Sequence, residues 1–207
     1  MKLYDYFRSS AAYRVRIALN FKGVPYESVP IHLVKGEQSA PAYLAVNPQG
    51  RVPALDHDGA VIVQSPAILE YLDERFPEPP FLPRDLVRRA RVRAAAALIG
   101  CDIHPLNNLA VLRRLKAMGH EQPAIDDWYR HWVVTGLEAV EAMIEGGPFC
   151  FGEAPTLADL YLVPQLYNAR RFAVPLDPYP RIQAADAACL ALPAFRDAAP
   201  EAQPDAA

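Results

Sequence analysis

Thiols are scarce in this chain. Of its 207 residues only three are cysteine, Cys101, Cys150 and Cys189, and no two of them share a CxxC or metal-ligand spacing. An odd, dispersed set argues against a disulfide framework and for a reducing compartment, and no metal site is expected. Charge of one sign is lacking too. The net charge is -3, so nothing suggests nucleic acid or an anionic membrane surface as a partner. No uninterrupted apolar stretch reaches the ~18 residues of a bilayer span, so no membrane partner is expected. Asp5 and Arg8 break up the N-terminus, which is therefore no signal peptide. The expected location is the cytoplasm.

What the chain does have is apolar mass and proline. Hydrophobic residues make up 52%, enough for a sizeable core. Proline contributes 21 residues, about twice the ~5% average. The densest cluster, Phe76-Pro77-Glu78-Pro79-Pro80-Phe81-Leu82-Pro83, is incompatible with a helix or a central strand. It divides the chain into a first domain, 1–78, a linker, 79–86, and a second domain, 87–207.

The first domain alternates short elements. Leu3–Tyr6, Ser28–His32, Pro53–His57 and Ala60–Val63 are expected strands. Arg14–Phe21, with Val15, Ala18 and Leu19 at helical spacing, is an expected helix. Ala40–Val46 is a short helix or turn. Asp58-Gly59 between two strand patterns is a two-residue hairpin signal. Ser65-Pro66 opens another helix, Ser at the cap and Pro in the first turn. The resulting βαβ plus αββα order gives a mixed four-stranded sheet with helices, the topology of a thioredoxin-like domain. The second domain is all helical. Asp85 caps a long run through Ile103, broken at Pro105 and resumed through Leu115. Further helices start at Pro123, at Thr156 and near Pro180 and Pro193. The tail from Pro200 to Ala207 is expected to fray.

A thioredoxin-like domain usually works through a CxxC after its first strand. Here that turn reads Ser9-Ser10-Ala11-Ala12, so dithiol exchange is excluded. Two hydroxyls at a helix start remain. They are either an ordinary N-cap or, with the free N–H groups and helix dipole, a point that attracts an anion such as a thiolate. Gln64-Ser65 leaves the same two readings open, a cap or a carboxylate holder.

The stretch Ser9-Ser10-Ala11-Ala12-Tyr13-Arg14-Val15-Arg16-Ile17-Ala18-Leu19 resembles the signature of the zeta class glutathione transferases, which include the maleylacetoacetate and maleylpyruvate isomerases. The likeness continues through Asn47–Leu55, Gln64–Leu72, Cys101-Asp102-Ile103-His104-Pro105-Leu106-Asn107-Asn108, Thr156–Gln165 and Ala169-Arg170-Arg171-Phe172, and so spans nearly the whole chain. It implies a two-domain α+β glutathione transferase fold, a homodimer, glutathione as cofactor, and isomerisation of a small anionic maleyl keto acid to its fumaryl form. General conjugation of electrophiles, or glutathione binding without catalysis, are the alternatives.

By matching position, Ser9, with Ser10 beside it, would hold the glutathione sulfur. Val52, ahead of a cis Pro53, would pair with the cysteinyl unit, although trans is the statistical default for X-Pro. Gln64 and Ser65 would hold the γ-glutamyl end and Gln38 the glycyl end. His104 and Asn108 would line the site from the helical domain, His104 as a ligand more than as an acid–base catalyst. Arg8 and Arg171 would clamp the diacid and stabilise the enolate, with Arg170 able to exchange roles with Arg171. Arg14 and Arg16 read as structural or as subunit contacts, and Asp159 as a helix cap. Two positions depart from the pattern. Ala11 stands where the signature usually has Cys, and Leu109-Ala110 stands where some bacterial relatives carry a further Arg.

Overall fold

The computed structural model describes residues 1–206. It divides into two compact units, one comprising Met1–Pro80 and Leu190–Ala207, the other Phe81–Cys189. This revises the sequence-based boundaries. No separate linker spans 79–86, because Phe81 is almost fully buried and its carbonyl accepts from Leu157 N. Residues 190–206 also leave the helical domain and rejoin the first unit.

The first unit is built on strands β1 (Lys2–Asp5), β2 (Glu27–Pro30), β3 (Ala54–His57) and β4 (Ala60–Val63). Their order is β2-β1-β3-β4, with β1 parallel to β2 and antiparallel to β3. The Asp58-Gly59 hairpin joins β3 to β4, both turn residues having positive φ. Helices α1 (Ser10–Phe21), α2 (Pro41–Leu44) and α3 (Ser65–Arg75) complete the αββα order. The strand alternation and helical periodicity meet in one core: Leu3, Val15, Ile17, Leu19, Leu55, Ile68, Leu69 and Leu72 are wholly buried, each contributing roughly 1.5–3 kcal/mol of transfer free energy.

Helix α1 begins four residues before the apolar periodicity does. Its start is fixed by chemistry at the end, where Ser9 Oγ accepts from Ala12 N. Helix α3 differs from expectation by one place. Gln64, at φ 72°, is the residue outside the helix, and Ser65 is its first member. The Ser65 hydroxyl then faces Arg14, whose guanidinium is 3.4 Å away.

The second unit consists of α4 (Leu86–Ala97), α5 (His104–Asn107), α6 (Leu109–Ala117), α7 (Gln122–Met143) and α8 (Leu157–Arg171), with most of α9 (Pro180–Ala191). Asp85 caps α4, as expected, accepting from Arg88 N. Between α4 and α5 the chain winds as a π-helix over Leu98–Ile103. The local cause is Pro105, which has no N–H for the Cys101 carbonyl and whose ring crowds the preceding turn; a wider turn relieves both. The expected break therefore moves from Pro105 to Asn108. Close helix packing fixes this region. A Cβ at Gly136 would lie 2.2 Å from Ile103 Cγ1, and one at Gly100 would lie 2.7 Å from Tyr161 Cε1. The run Leu86–Ala117 does pass, by length and composition, as apolar enough to cross a bilayer, contrary to the sequence reading. One such helix is weak evidence for a span, and 28% of its apolar window is buried.

Asp159 is the structural cap the sequence suggested. Wholly buried, it accepts from Thr156 N at 2.7 Å, Thr156 Oγ1 at 2.8 Å and Cys150 N at 2.9 Å. Asp159→Ala strands these three donors and the Cys189 thiol, which donates to Oδ1 at 3.7 Å, so urea denaturation is expected to show a loss of about 3 kcal/mol or more. A loss under about 1 kcal/mol would count against the cap's structural weight.

The tail does not fray. Pro200–Ala202 and Pro204–Ala206 form 3-10 turns, and Asp205 Oδ2 accepts from Phe7 N at 3.1 Å. Ala207 lies outside the described residues. Helix α10 (Pro193–Arg196) lies along α1, where Tyr13 Oη donates to Phe195 O and Asn20 Nδ2 to Ala194 O.

Candidate active site

In the first unit the expected residues occupy helix starts and the loop before β3. Ser9 is the N-cap of α1, and Ser10 is buried as the first helical residue. The geometry of Ser9 separates two readings that the sequence leaves open. Its oxygen accepts the Ala12 N–H at 3.2 Å, so its own hydroxyl proton remains to be donated. Capping and anion binding are compatible at this atom, and the helix dipole adds to the second. Ala11, half-buried in the first turn, brings no thiol.

Arg8 is exposed. Its guanidinium bonds to Tyr6 Oη at 3.0 Å and lies 5.0 Å from the Phe7 ring centre. Those contacts fix its direction while its charge remains open to solvent. Arg16, by contrast, is fully buried and structural. It holds both oxygens of Asp5 at 2.8 Å and the carbonyls of Ala198 and Phe7 at 2.9 Å. Burial raises the Asp5 carboxyl above its ordinary range, and Arg16 opposes that shift.

The loop Asn47–Pro53 is tied from below. Asn47 Nδ2 and Tyr43 Oη both donate to Arg51 O, at 2.7 and 2.6 Å. Burial pushes the Tyr43 phenol up to about 12, so it stays protonated and a donor. The Val52–Pro53 bond is cis, as the resemblance implied. Beside that loop, Gln64 Nε2 donates to Gln49 Oε1 at 2.5 Å. The positive φ of Gln64 is costly for a residue with a Cβ, and such strain concentrates at ligand sites. Gln38 Oε1 is buried without a hydrogen-bond partner among the described residues. Sequence reasoning missed Gln49, Tyr6 and Tyr43. Gln49 lies in the Asn47–Leu55 stretch, but nothing in its spacing announces the bond to Gln64.

In the second unit His104 opens α5 directly after the π-turn. Asn108 has a local job that the sequence did not announce. Its Oδ1 accepts from Ala110 N and Val111 N, and its Nδ2 donates to Pro105 O. These bonds cap α6 and commit most of the amide that was expected to line a site. The two arginines at the end of α8 separate cleanly. Arg170 forms an ion pair with the buried Asp186. Arg171 donates to Asn168 Oδ1 at 3.4 Å and lies 5.9 Å from the Phe172 ring centre, with no acid paired to it among the described residues. Of the two, Arg171 has the guanidinium with more open donors.

Models of the N-terminal and C-terminal domains of glutathione S-transferase match residues 1–74 and 122–185. A maleylacetoacetate isomerase of Pseudomonas aeruginosa is 56% identical over 99% of this chain and 98% of its own. The chain belongs to the zeta class of the glutathione S-transferase family. A holo maleylpyruvate isomerase described as a bacterial zeta class transferase superposes with a TM-score of 0.98, at 53% identity and with both chains fully covered. The maleylacetoacetate isomerase of Anaeromyxobacter dehalogenans 2CP-1, with bound dicarboxyethyl glutathione and citrate in its active site, gives a TM-score of 0.90 at 47% identity, over 100% of this chain and 97% of that one. Zeta class membership accounts for the mixed sheet, the helical unit and the cis Val52–Pro53 turn together.

Proposed function

We propose that the chain is a glutathione-dependent cis–trans isomerase that converts a maleyl keto acid, maleylacetoacetate or maleylpyruvate, to its fumaryl isomer. The observation that carries the reading is Ser9, whose oxygen is spent on the helix cap and whose proton is available to a sulfur anion. Glutathione fits the first unit. The unpartnered Gln38 oxygen suits a glycyl N–H, and strained Gln64 with Ser65 at the start of α3 suits the γ-glutamyl carboxylate. Val52 would pair with the cysteinyl backbone, and His104 would contribute from the helical unit. When bound, glutathione supplies a thiolate that adds reversibly to the conjugated double bond, so that the bond rotates before the sulfur leaves.

The residues of the chain do the rest. A thiol near pKa ~8.5 is only a few per cent ionised at neutral pH, and lowering it by about 2 units needs roughly 2.7 kcal/mol. The Ser9 hydrogen bond to a charged partner offers about 1.5–3 kcal/mol and the α1 N-terminus about 0.3–1, which is sufficient together. Arg8 and Arg171 would neutralise the carboxylates and hold negative charge as it moves to the keto oxygen. Isomerisation, as opposed to conjugation, is favoured by the relatives that bear that name. The same reading has the protein acting as a cytoplasmic homodimer; a monomer by light scattering would count against the assembly.

The test is to incubate the protein with maleylpyruvate or maleylacetoacetate and a catalytic amount of glutathione. Fumaryl product should form while total glutathione stays constant. Stoichiometric consumption would refute isomerisation. Ala11→Cys is expected to change kcat/KM by less than about tenfold, because glutathione already supplies the nucleophile. A gain of several orders of magnitude would show that the protein thiol takes part.

A further inference from the structure

The turn that carries Arg8 and Ser9 follows β1 and is held largely by distant parts of the chain. Locally, Ser9 N donates to Tyr6 O and Tyr6 N to Asp5 Oδ1. Phe7, the residue just before Arg8, has no such local partner for either backbone group. Its carbonyl accepts from Arg16 at 2.9 Å, and its N–H donates to Asp205 Oδ2 at 3.1 Å, 198 residues away in sequence. Arg16 is in turn held by both oxygens of Asp5 at 2.8 Å and by Ala198 O at 2.9 Å. The Asp205 support therefore comes directly from the C-terminal segment, and the Arg16 support is shared between that segment and Asp5 of β1.

That segment is anchored along a single stripe of α1. Tyr13, Arg16 and Asn20, at i, i+3 and i+7, donate to Phe195 O, Ala198 O and Ala194 O. Such spacing puts the three donors on one helix face. Phe195 and Ala198 are wholly buried beneath it. A carboxylate next to a site proposed to bind a thiolate and a diacid is electrostatically adverse. Its bond to the Phe7 N–H gives it a compensating role, since a charged acceptor makes a stronger bond to a backbone donor than a neutral one does.

We infer that the C-terminal segment is a strap that sets the Phe7-Arg8-Ser9 turn, with Asp205 as its positioning residue. The inference rests on the functional reading of Ser9 and Arg8 given above. Asp205 touches no reacting atom. It acts by fixing the peptide from which Arg8 and Ser9 project, so its loss misdirects the hydroxyl proton while leaving the glutathione-holding residues Gln38, Gln64 and Ser65 in place.

The experiment compares wild type, Asp205→Ala, Asp205→Asn and a chain ending at Gln203. Four quantities are read: kcat and glutathione KM in the isomerase assay, the pH titration of the thiolate absorbance of bound glutathione, amide hydrogen exchange at Phe7, and Tm. Asp205→Ala and the truncation should lower kcat about tenfold with glutathione KM within about twofold. They should also raise the pH midpoint of the bound thiol and speed Phe7 exchange. Asp205→Asn keeps an acceptor oxygen and should restore most of kcat. Faster Phe7 exchange with kcat and thiol titration unchanged would overturn the inference, because the strap would then be structural only. So would a kcat loss matched by lowered Tm and not rescued by Asn. A wild-type protein that binds glutathione without isomerising the maleyl acids would sink the functional reading alone, leaving the thiol titration and Phe7 exchange to decide the strap.

Discussion

Ser9→Asp is expected to leave the protein folded and to lower isomerase kcat/KM by about a hundredfold or more. The separation follows from the two roles of one oxygen. As a helix cap, Ser9 accepts the Ala12 N–H, and aspartate does this as well as serine does. As a donor to a sulfur anion, it gives a proton that an ionised aspartate lacks. Losing a hydrogen bond to a charged group costs about 1.5–3 kcal/mol, and the added carboxylate repels the thiolate besides. Ser9→Ala should look different. It forfeits about 1 kcal/mol of cap stability together with about 10–100-fold in activity, without the added repulsion. Ser9→Thr keeps cap and proton and should retain much of the rate. Measuring kcat/KM, the thiolate absorbance of bound glutathione and Tm across the three variants distinguishes the roles. An active Ser9→Asp protein would remove Ser9 from the chemistry.

Arg171→Ala should lower kcat/KM for the maleyl diacid by about a hundredfold, with glutathione KM nearly unchanged, because a bidentate cation opposite a carboxylate stabilises charge that grows during the reaction. Arg171→Lys should recover part of it, since a point charge remains but the fork is lost. Arg170→Ala should do the opposite, sparing kcat/KM in the folded fraction and reducing stability. Asp186 is buried and would lose its cation. Because the Arg170 side chain is half exposed, solvent screening limits the cost to about 1–3 kcal/mol. The pH dependence has a definite sign. Burial already raises the Asp186 carboxyl, and Arg170 is what lowers it. Without Arg170 it rises further. A group with a raised folded pKa contributes most below its unfolded value and loses that contribution as pH climbs through the folded one. The Arg170→Ala defect should therefore be largest at neutral pH and shrink on acidification. Denaturation curves at several pH values check this, and equal losses throughout would contradict it.

How much of this was legible in the sequence depended on whether the signal was local. Strand alternation, the Asp58-Gly59 hairpin, the Asp85 cap and the Thr156–Asp159 cap are set within a few residues, and all appear where expected. The course of 190–206 was illegible for a physical reason. Its anchors are the carbonyls of Ala194, Phe195 and Ala198, which every residue possesses, while its small side chains read as a loose tail. The π-turn escaped because a helical pattern does not distinguish a turn of four from one of five over six residues. Gln64 and Ser65 exchanged the cap by one place because the choice lies in a backbone angle. The roles of Arg170 and Arg171 depended on Asp186, sixteen residues beyond Arg170. At the site, the family resemblance named residues that periodicity alone left as plain caps, and the geometry then withdrew much of Asn108 from that set.

All three cysteines fall in the Phe81–Cys189 unit. Cys150 and Cys189 are buried there, with thiols pushed up by burial and by Asp159; only Cys101 is exposed. The unit that holds Ser9 thus has no thiol of its own. With glutathione seated at the Ser9 turn as proposed, peroxide or an alkylating reagent arriving there meets an exchangeable small-molecule thiol, and a fresh molecule from solution repairs the damage. The protein trades a permanent, poisonable thiol for a replaceable one, so inhibitors that work by capping an active-site cysteine have no target in the first unit.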